Sequence, residues 1–237
     1  MKSLLEQLAA ANKELETFSY SISHDLRTPL RAIDGFSRAL LIQHGEQLDD
    51  EGRRYLERIR ASTQRMSQLI DDLLSLSRIT RTTLRLERVD LSEIARGVLT
   101  ELAARDPGRS VEVEVTGGLT ADADPRLMRT LLERLLENAW KFSAGTSRAR
   151  IEVAREPPAG DGGVTFVVRD NGAGFDMDYA KKLFEPFQRL HPASDFPGTG
   201  IGLATAERIV ARHGGRIWAR SMPDQGATFY FTLGEPA

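Results

Sequence analysis

The chain has no cysteine, which excludes disulfides and thiolate metal sites and suits a reducing compartment. It has no apolar run near the roughly eighteen residues a bilayer span needs, and no signal-peptide pattern at its N-terminus. It also lacks an imbalance of charge. With 28% charged residues and a formal net charge of −2, nothing draws the whole molecule to nucleic acid or to an anionic membrane. Internal repeats and low-complexity tracts are absent as well. These absences lead us to expect a soluble cytoplasmic protein, and 237 residues suffice for one large or two ordinary domains.

What is present starts with a helical seam. Apolar residues at Leu4, Leu8, Ala11, Leu15, Phe18 and Ile22 alternate steps of four and three, as in a coiled coil. The rhythm slips by one step of four through Leu26 and Leu30, then resumes at Ile33, Phe36 and Leu40. Such a stutter locally relaxes a supercoil. His24 stands two residues from Ile22, about 200° around the helix, so it points away from the seam with Tyr20, Arg27, Thr28 and Arg31. A lone histidine there could be a solvated surface residue. With Asp25 adjacent, it is also a candidate nucleophile. Pro29, inside the helical pattern, leaves the Asp25 carbonyl without its helical partner, a local cost that calls for a reason. Residues 45–50 read as a turn with Asp49 or Asp50 as N-cap. Tyr55, Ile59, Ser62, Met66, Leu69, Leu73 and Leu76 repeat the four-three spacing, widened by Ile70 and Leu74. Two long helices joined by a short turn make an antiparallel hairpin. Each has more apolar face than one partner covers, so a dimeric four-helix bundle is expected; the alternative is a monomeric hairpin packed on its own second domain.

The pattern changes near Arg81. We expect strands at Leu84–Val89, Val111–Val115, Ala149–Ala154, Val164–Arg169, Arg216–Arg220 and Ala227–Leu233. Helices are expected from Leu91, from Pro125 with Asp124 as N-cap to about Phe142, and from Gly200 to His213. The fold class is therefore a helical hairpin over residues 1–82, then a mixed α/β sandwich over 83–237, a largely antiparallel sheet with helices on one face.

Four stretches of the second half carry candidate chemistry. Leu131, Leu135, Asn138 and Phe142 share a stripe, which turns Asn138 towards the packed side. It is either a buried amide satisfied by the sheet or a ligand for a metal-bound phosphate, with Lys141 supplying charge. Asp170, Gly172 and Gly174 follow a strand directly, as an ordinary turn or as a close-approach loop with a carboxylate acceptor. Gly198, Thr199, Gly200, Ile201, Gly202 and Leu203 precede a helix, where exposed amides suit an anion. Neither a Rossmann nor a Walker fingerprint fits their spacing. Leu183–Leu190 is amphipathic, a candidate lid unless Phe184 and Phe187 pack in the core.

His24-Asp25-Leu26-Arg27-Thr28-Pro29-Leu30 resembles the phospho-acceptor box of sensor histidine kinases. Asn138–Phe142, Asp170–Gly174, Phe184–Phe187, Gly198–Gly202 and Gly226–Phe229 resemble, in order, the N, G1, F, G2 and G3 boxes of their ATP-binding domains. Together they cover residues 15–234, and the wording is similar to kinases found behind phytochrome and PAS-type sensors. The resemblance implies ATP and Mg²⁺ as cofactors, with Asn138 holding the metal, Lys141 meeting phosphate, Phe142 flanking the nucleotide and Asp170 accepting from the adenine amino group. It also implies a part for Thr228, and for the amides of residues 198–203 on phosphate. His24 would be the phospho-acceptor, polarised by Asp25; Thr28 would assist phosphatase activity, and Pro29 would mark a bend. The implied partners are a second copy, a response-regulator receiver domain, and an upstream PAS, GAF or phytochrome-like sensor outside the sequence. Its implied function is autophosphorylation and phosphotransfer; a regulator phosphatase and a non-catalytic nucleotide-binding module are the alternatives. One departure is Arg134, four residues before Asn138, where many members carry Asn.

Overall fold

The computed structural model describes residues 25–79, 83–156, 164–192, 196 and 198–234, and the chain divides into two compact units, Met1–Arg78 and Ile79–Ala237. The first is an antiparallel hairpin of α1 (residues 25–44) and α2 (Asp50–Ile79). Asp49 caps α2, its Oδ1 accepting from the Gly52 amide at 2.7 Å, which satisfies a donor with no helical partner. Helical structure runs through Pro29 unbroken. Leu30, Ile70 and Leu74 form the small core between the helices. Around it Arg60 pairs with Asp34 at 3.1 Å, and Arg27 with Asp71. Much of the expected seam stays exposed: Ile33, Leu40, Ile59, Met66 and Leu73 are each more than two-fifths exposed, and Phe36 reaches 74%. Residues 1–24, His24 among them, lie outside the described residues. Among the described residues no helix is long and apolar enough to cross a membrane.

The second unit is a two-layer α/β sandwich. Its strands are β1 (Glu87–Asp90), β2 (Val111–Val115), β3 (Thr120–Ala123), β4 (Ala149–Glu156), β5 (Thr165–Asp170), β6 (Ile217–Ser221) and β7 (Ala227–Thr232). Five form one sheet in the order β2-β4-β5-β7-β6, parallel only between β2 and β4. The helices are α3 (Leu91–Arg105), α4 (Pro125–Phe142) and α5 (Gly202–Arg212). The middle one, α4, opens as expected on Asp124, whose carboxylate accepts from the Arg126 and Leu127 amides, followed by Pro125 at the first turn. Met128, Leu131, Leu132, Leu135 and Leu136 are fully buried, a stripe wide enough to meet sheet and neighbouring helices together.

Most element ends shift by a residue or two from the sequence expectation, and the β1–β3 region departs further. β1 begins only at Glu87, while Leu84 packs against the core from outside the strand. Its partner β3, Thr-Ala-Asp-Ala, was not expected as a strand: three of its four residues are of low strand propensity, and it is held by antiparallel pairing with β1 and by Arg88 donating to Thr120 at 2.6 Å. The β1–β3 ribbon delivers Asp124 to the start of α4, where its amide donates to Nε2 of the fully buried His213 at 3.1 Å.

Candidate functional site

The site lies where α4 ends, β5 ends and α5 begins. The end of α4 is pinned first: Arg109 donates to the Trp140 carbonyl at 2.5 Å and to the Ser143 hydroxyl at 2.8 Å, and its guanidinium stacks over the Trp140 ring. The Phe142 carbonyl accepts from the Ala173 amide at 3.0 Å, which ties the turn after β5 to that helix end. Gly172 sits so close to this carbonyl that any Cβ would collide with it and come within 2.8 Å of the Ser143 nitrogen. Glycine is required there by proximity, not by φ. Asn171, unremarked in the sequence, clamps the same turn to β4, accepting from the Arg150 amide and donating to the Arg148 carbonyl, both at 2.8 Å.

Asp170 is the last residue of β5, and its carboxylate is 5% exposed on the core face that Phe166 and Val168 share. The Gly172 amide donates to it at 2.9 Å, and the Ala227 amide donates as well. Burial pushes its carboxyl up to about 6, and these two amides only partly oppose that rise. A buried anion held by two backbone donors retains acceptor capacity for a further donor. Gly174, at φ 60°, brings its carbonyl to His191, whose Nε2–H donates to it at 2.8 Å.

His191, Phe142 and Phe196 form a three-ring cluster with centroids 4.9–5.2 Å apart. The Lys141 ammonium stands 4.1 Å from the Phe142 ring centroid and 3.4 Å from where a Cβ on Gly198 would lie. Burial, and then the neighbouring Arg189 charge, lower this ammonium to about 8, with Glu137 opposing. Arg189 itself donates to the Phe196 carbonyl at 2.7 Å. The glycine-rich segment is thus drawn against Lys141. Gly200 adopts φ 76° beside Phe187, whose amide donates to the Gly200 carbonyl at 3.0 Å. α5 then starts at Gly202 behind Ile201, with no side-chain cap. Its first amides have no helical acceptor, as at any helix N-terminus.

Every expected site residue except His24 lies among the described residues. Asp170, Gly172, Gly174, Lys141, Phe142 and Gly198 come together with Thr199, Gly200 and Gly202. Ile201 is fully buried and Leu203 packs on the core, so only their backbones can serve a ligand. Asn138 lies one turn before Lys141 and Phe142 and is half-buried; its amide is not stranded in the core as its stripe implied. Thr228 does not join them. It pairs in register with Arg169, accepts from that guanidinium at 3.3 Å, and so lies on the opposite face of the sheet from Asp170. The core-facing neighbour is Ala227, whose amide reaches Asp170. The expected lid segment splits: Phe184 packs against the core while Phe187 is 56% exposed at φ 66°. In the hairpin, Asp25, Thr28 and Pro29 are all exposed on α1.

For a metal, the described residues hold no cluster of three ligating side chains. Mg²⁺ commonly keeps several waters and takes other ligands from substrate phosphates, so it needs few oxygens from the protein, and the Asn138 amide oxygen could supply one. Asn138, Lys141 and the 198–202 amides therefore fit a metal-bound polyphosphate, and Asp170 a purine amino group.

An α/β sandwich with a buried carboxylate at a strand end and a glycine-rich segment before a helix is an arrangement that can hold a nucleotide. Comparison with known proteins agrees. Residues 123–237 match the family model of histidine kinase-, DNA gyrase B- and HSP90-like ATPases, and residues 14–82 match the His Kinase A (phospho-acceptor) domain. The chain belongs to the sensor histidine kinases. It is 38% identical over 230 residues to cyanobacterial phytochrome B of a Nostoc species, covering 96% of this chain and 30% of that one. To the sensor protein kinase WalK of Staphylococcus saprophyticus it is 33% identical over 228 residues, covering 93% of this chain and 37% of that one. The crystal structure of full-length ShkA in complex with AMPPNP superposes with a TM-score of 0.65 at 28% identity, over 93% of this chain and 47% of that one. The chain spans about a third of the length of these curated relatives.

Proposed function

We propose that the chain is an ATP-dependent autokinase that phosphorylates its own His24 and passes the phosphoryl group to an aspartate of a response regulator. The observation that carries this reading is that the turn after Asp170 is tied to the end of α4 at Phe142, beside the Lys141 that meets Gly198, in a chain that also holds a His-Asp-Leu-Arg-Thr-Pro box. Asp170, ionised above pH 6, accepts from the adenine amino group. The Phe142, His191 and Phe196 rings give the nucleotide an apolar flank. Lys141 and the amides of residues 198–202 hold the phosphates in line, so positioning and charge neutralisation do most of the catalytic work. Asn138 would hold Mg²⁺, which would supply further neutralisation of phosphate charge when bound. The unprotonated ring nitrogen of His24 attacks the γ-phosphorus; the bond to the β,γ-bridging oxygen breaks, and ADP leaves with those electrons. Asp25 holds the proton on the other ring nitrogen, which keeps the attacking one a nucleophile.

The partner copy follows from the hairpin. Leu30, Ile33, Tyr55, Ile59 and Met66 line an open apolar groove, and Phe36, Leu40 and Leu73 lie exposed on the same unit. Two such hairpins would cover one another as a four-helix bundle. In the full-length protein a sensor precedes the hairpin, as the phytochrome relatives suggest. A second activity, hydrolysis of the regulator's phospho-aspartate, is favoured by the exposed Thr28 one turn after His24. The division into a phospho-acceptor hairpin over residues 1–82 and an ATP-binding domain over 83–237 is part of the same proposal, a few residues after the break between the compact units at Arg78.

The test is incubation with Mg²⁺ and γ-labelled ATP, beside His24→Ala and Asn138→Ala. Acid-labile, alkali-stable label lost in both variants supports the autokinase. Label that survives His24→Ala overturns it. Dephosphorylation of a phospho-regulator by His24→Ala separates the phosphatase activity from reverse transfer.

A further inference from the structure

Arg134 shares a face of α4 with Asn138 and Lys141, at spacings of four and seven residues. Its side chain is 28% exposed, and its stem passes Gly202: a Cβ built there would lie 3.6 Å from Arg134 Cδ. Lys141 meets the same segment at Gly198. The two cations therefore bracket residues 198–202 from either end, at the N-terminus of a helix that has no side-chain cap. The Glu137 carboxylate pairs with Arg134 at 3.3 Å and also approaches Arg105 at 4.0 Å, so its single negative charge is shared.

We infer that Arg134 is a phosphate-recognition residue of the nucleotide site, a fixed cation that exchanges its Glu137 partner for the polyphosphate when nucleotide binds. The inference rests on the nucleotide-site reading above. A guanidinium carries a permanent charge and a planar fork of donors suited to phosphate oxygens, which an amide at that position lacks. Affinity for the phosphates then depends less on a bound metal, because a protein charge already offsets them. Glu137 acts as the competing anion that keeps Arg134 placed when the site is empty.

The test measures the affinity of adenosine, ADP and a non-hydrolysable ATP analogue for the whole chain by calorimetry, in EDTA and in Mg²⁺, with Arg134→Asn and Glu137→Gln alongside. Expected for Arg134→Asn is unchanged adenosine binding, with ADP and the analogue weakened about tenfold in EDTA, the scale of one charge-assisted hydrogen bond. Mg²⁺ should recover part of that loss. Glu137→Gln should tighten both phosphorylated ligands. Equal weakening of adenosine and the analogue would mean that Arg134 only supports the fold, and no change for any ligand would mean that it only pairs with Glu137; either overturns the inference alone. Failure of the unaltered chain to bind any of the three would overturn the nucleotide-site reading and this inference with it.

Discussion

Asp170→Asn tests how the site stores strain. The Asp170 carboxyl is raised from its ordinary 3.8 to about 6 by burial, which makes its ionised form about 3 kcal/mol less favourable in the folded chain than in water. A folded pKa above the unfolded one contributes stability at low pH that is lost as pH rises through about 6 and stays lost above it. Between pH 4.5 and 8 this one group should cost the wild type about 2 kcal/mol that the asparagine variant does not lose. Both tryptophans, Trp140 and Trp218, lie in the second unit, so their fluorescence reports its unfolding in urea without interference from the hairpin. Other carboxylates titrate over the same range, but they cancel when the two proteins are compared. The absolute offset depends on whether one amide oxygen can serve both the Gly172 and Ala227 donors, a cost of about 1–3 kcal/mol if it cannot. The pH dependence of the difference does not depend on that offset. Curves that stay parallel from pH 4.5 to 8, or a difference that moves in the variant's favour as pH falls, would refute the reasoning. Under the nucleotide reading the variant that gains at pH 8 also loses adenine binding.

Nucleotide phosphates should restore the Lys141 ammonium, now lowered to about 8; at pH 8, binding should take up about half a proton, seen as a buffer-dependent binding enthalpy that Lys141→Arg abolishes. If two hairpins pair as proposed, Phe36→Glu should yield monomers without unfolding the hairpin, since its ring is 74% exposed; light scattering and helical circular dichroism check both halves. Gly172→Ala should cost about 1–3 kcal/mol of second-unit stability in urea, because the methyl meets the Phe142 carbonyl.

The helices and most strands were legible because local rules governed them. Asp124-Pro125 starts α4, Asp49 caps α2, and strict alternation marks β2. The order of the site segments was legible too, since each is contiguous. β3 was not, because Thr-Ala-Asp-Ala is extended only through its pairing with β1. The resemblance at Gly226–Phe229 implied a part for Thr228, yet strand alternation and the register with Arg169 set it on the face opposite Asp170. Asn171, Arg109 and His191 carry no local signal, and act through contacts with residues distant in the chain.

By itself, then, the order of residues determined most of the elements, the family and the list of chemical groups, because capping, periodicity and glycine placement act over a few residues. Tertiary structure alone decided which groups meet. It buried Asp170 and so raised its carboxyl, set Lys141 against Gly198, and laid Arg134 along Gly202. Burial and long-range proximity are properties of the packed sheet and helices, and no window of sequence contains them.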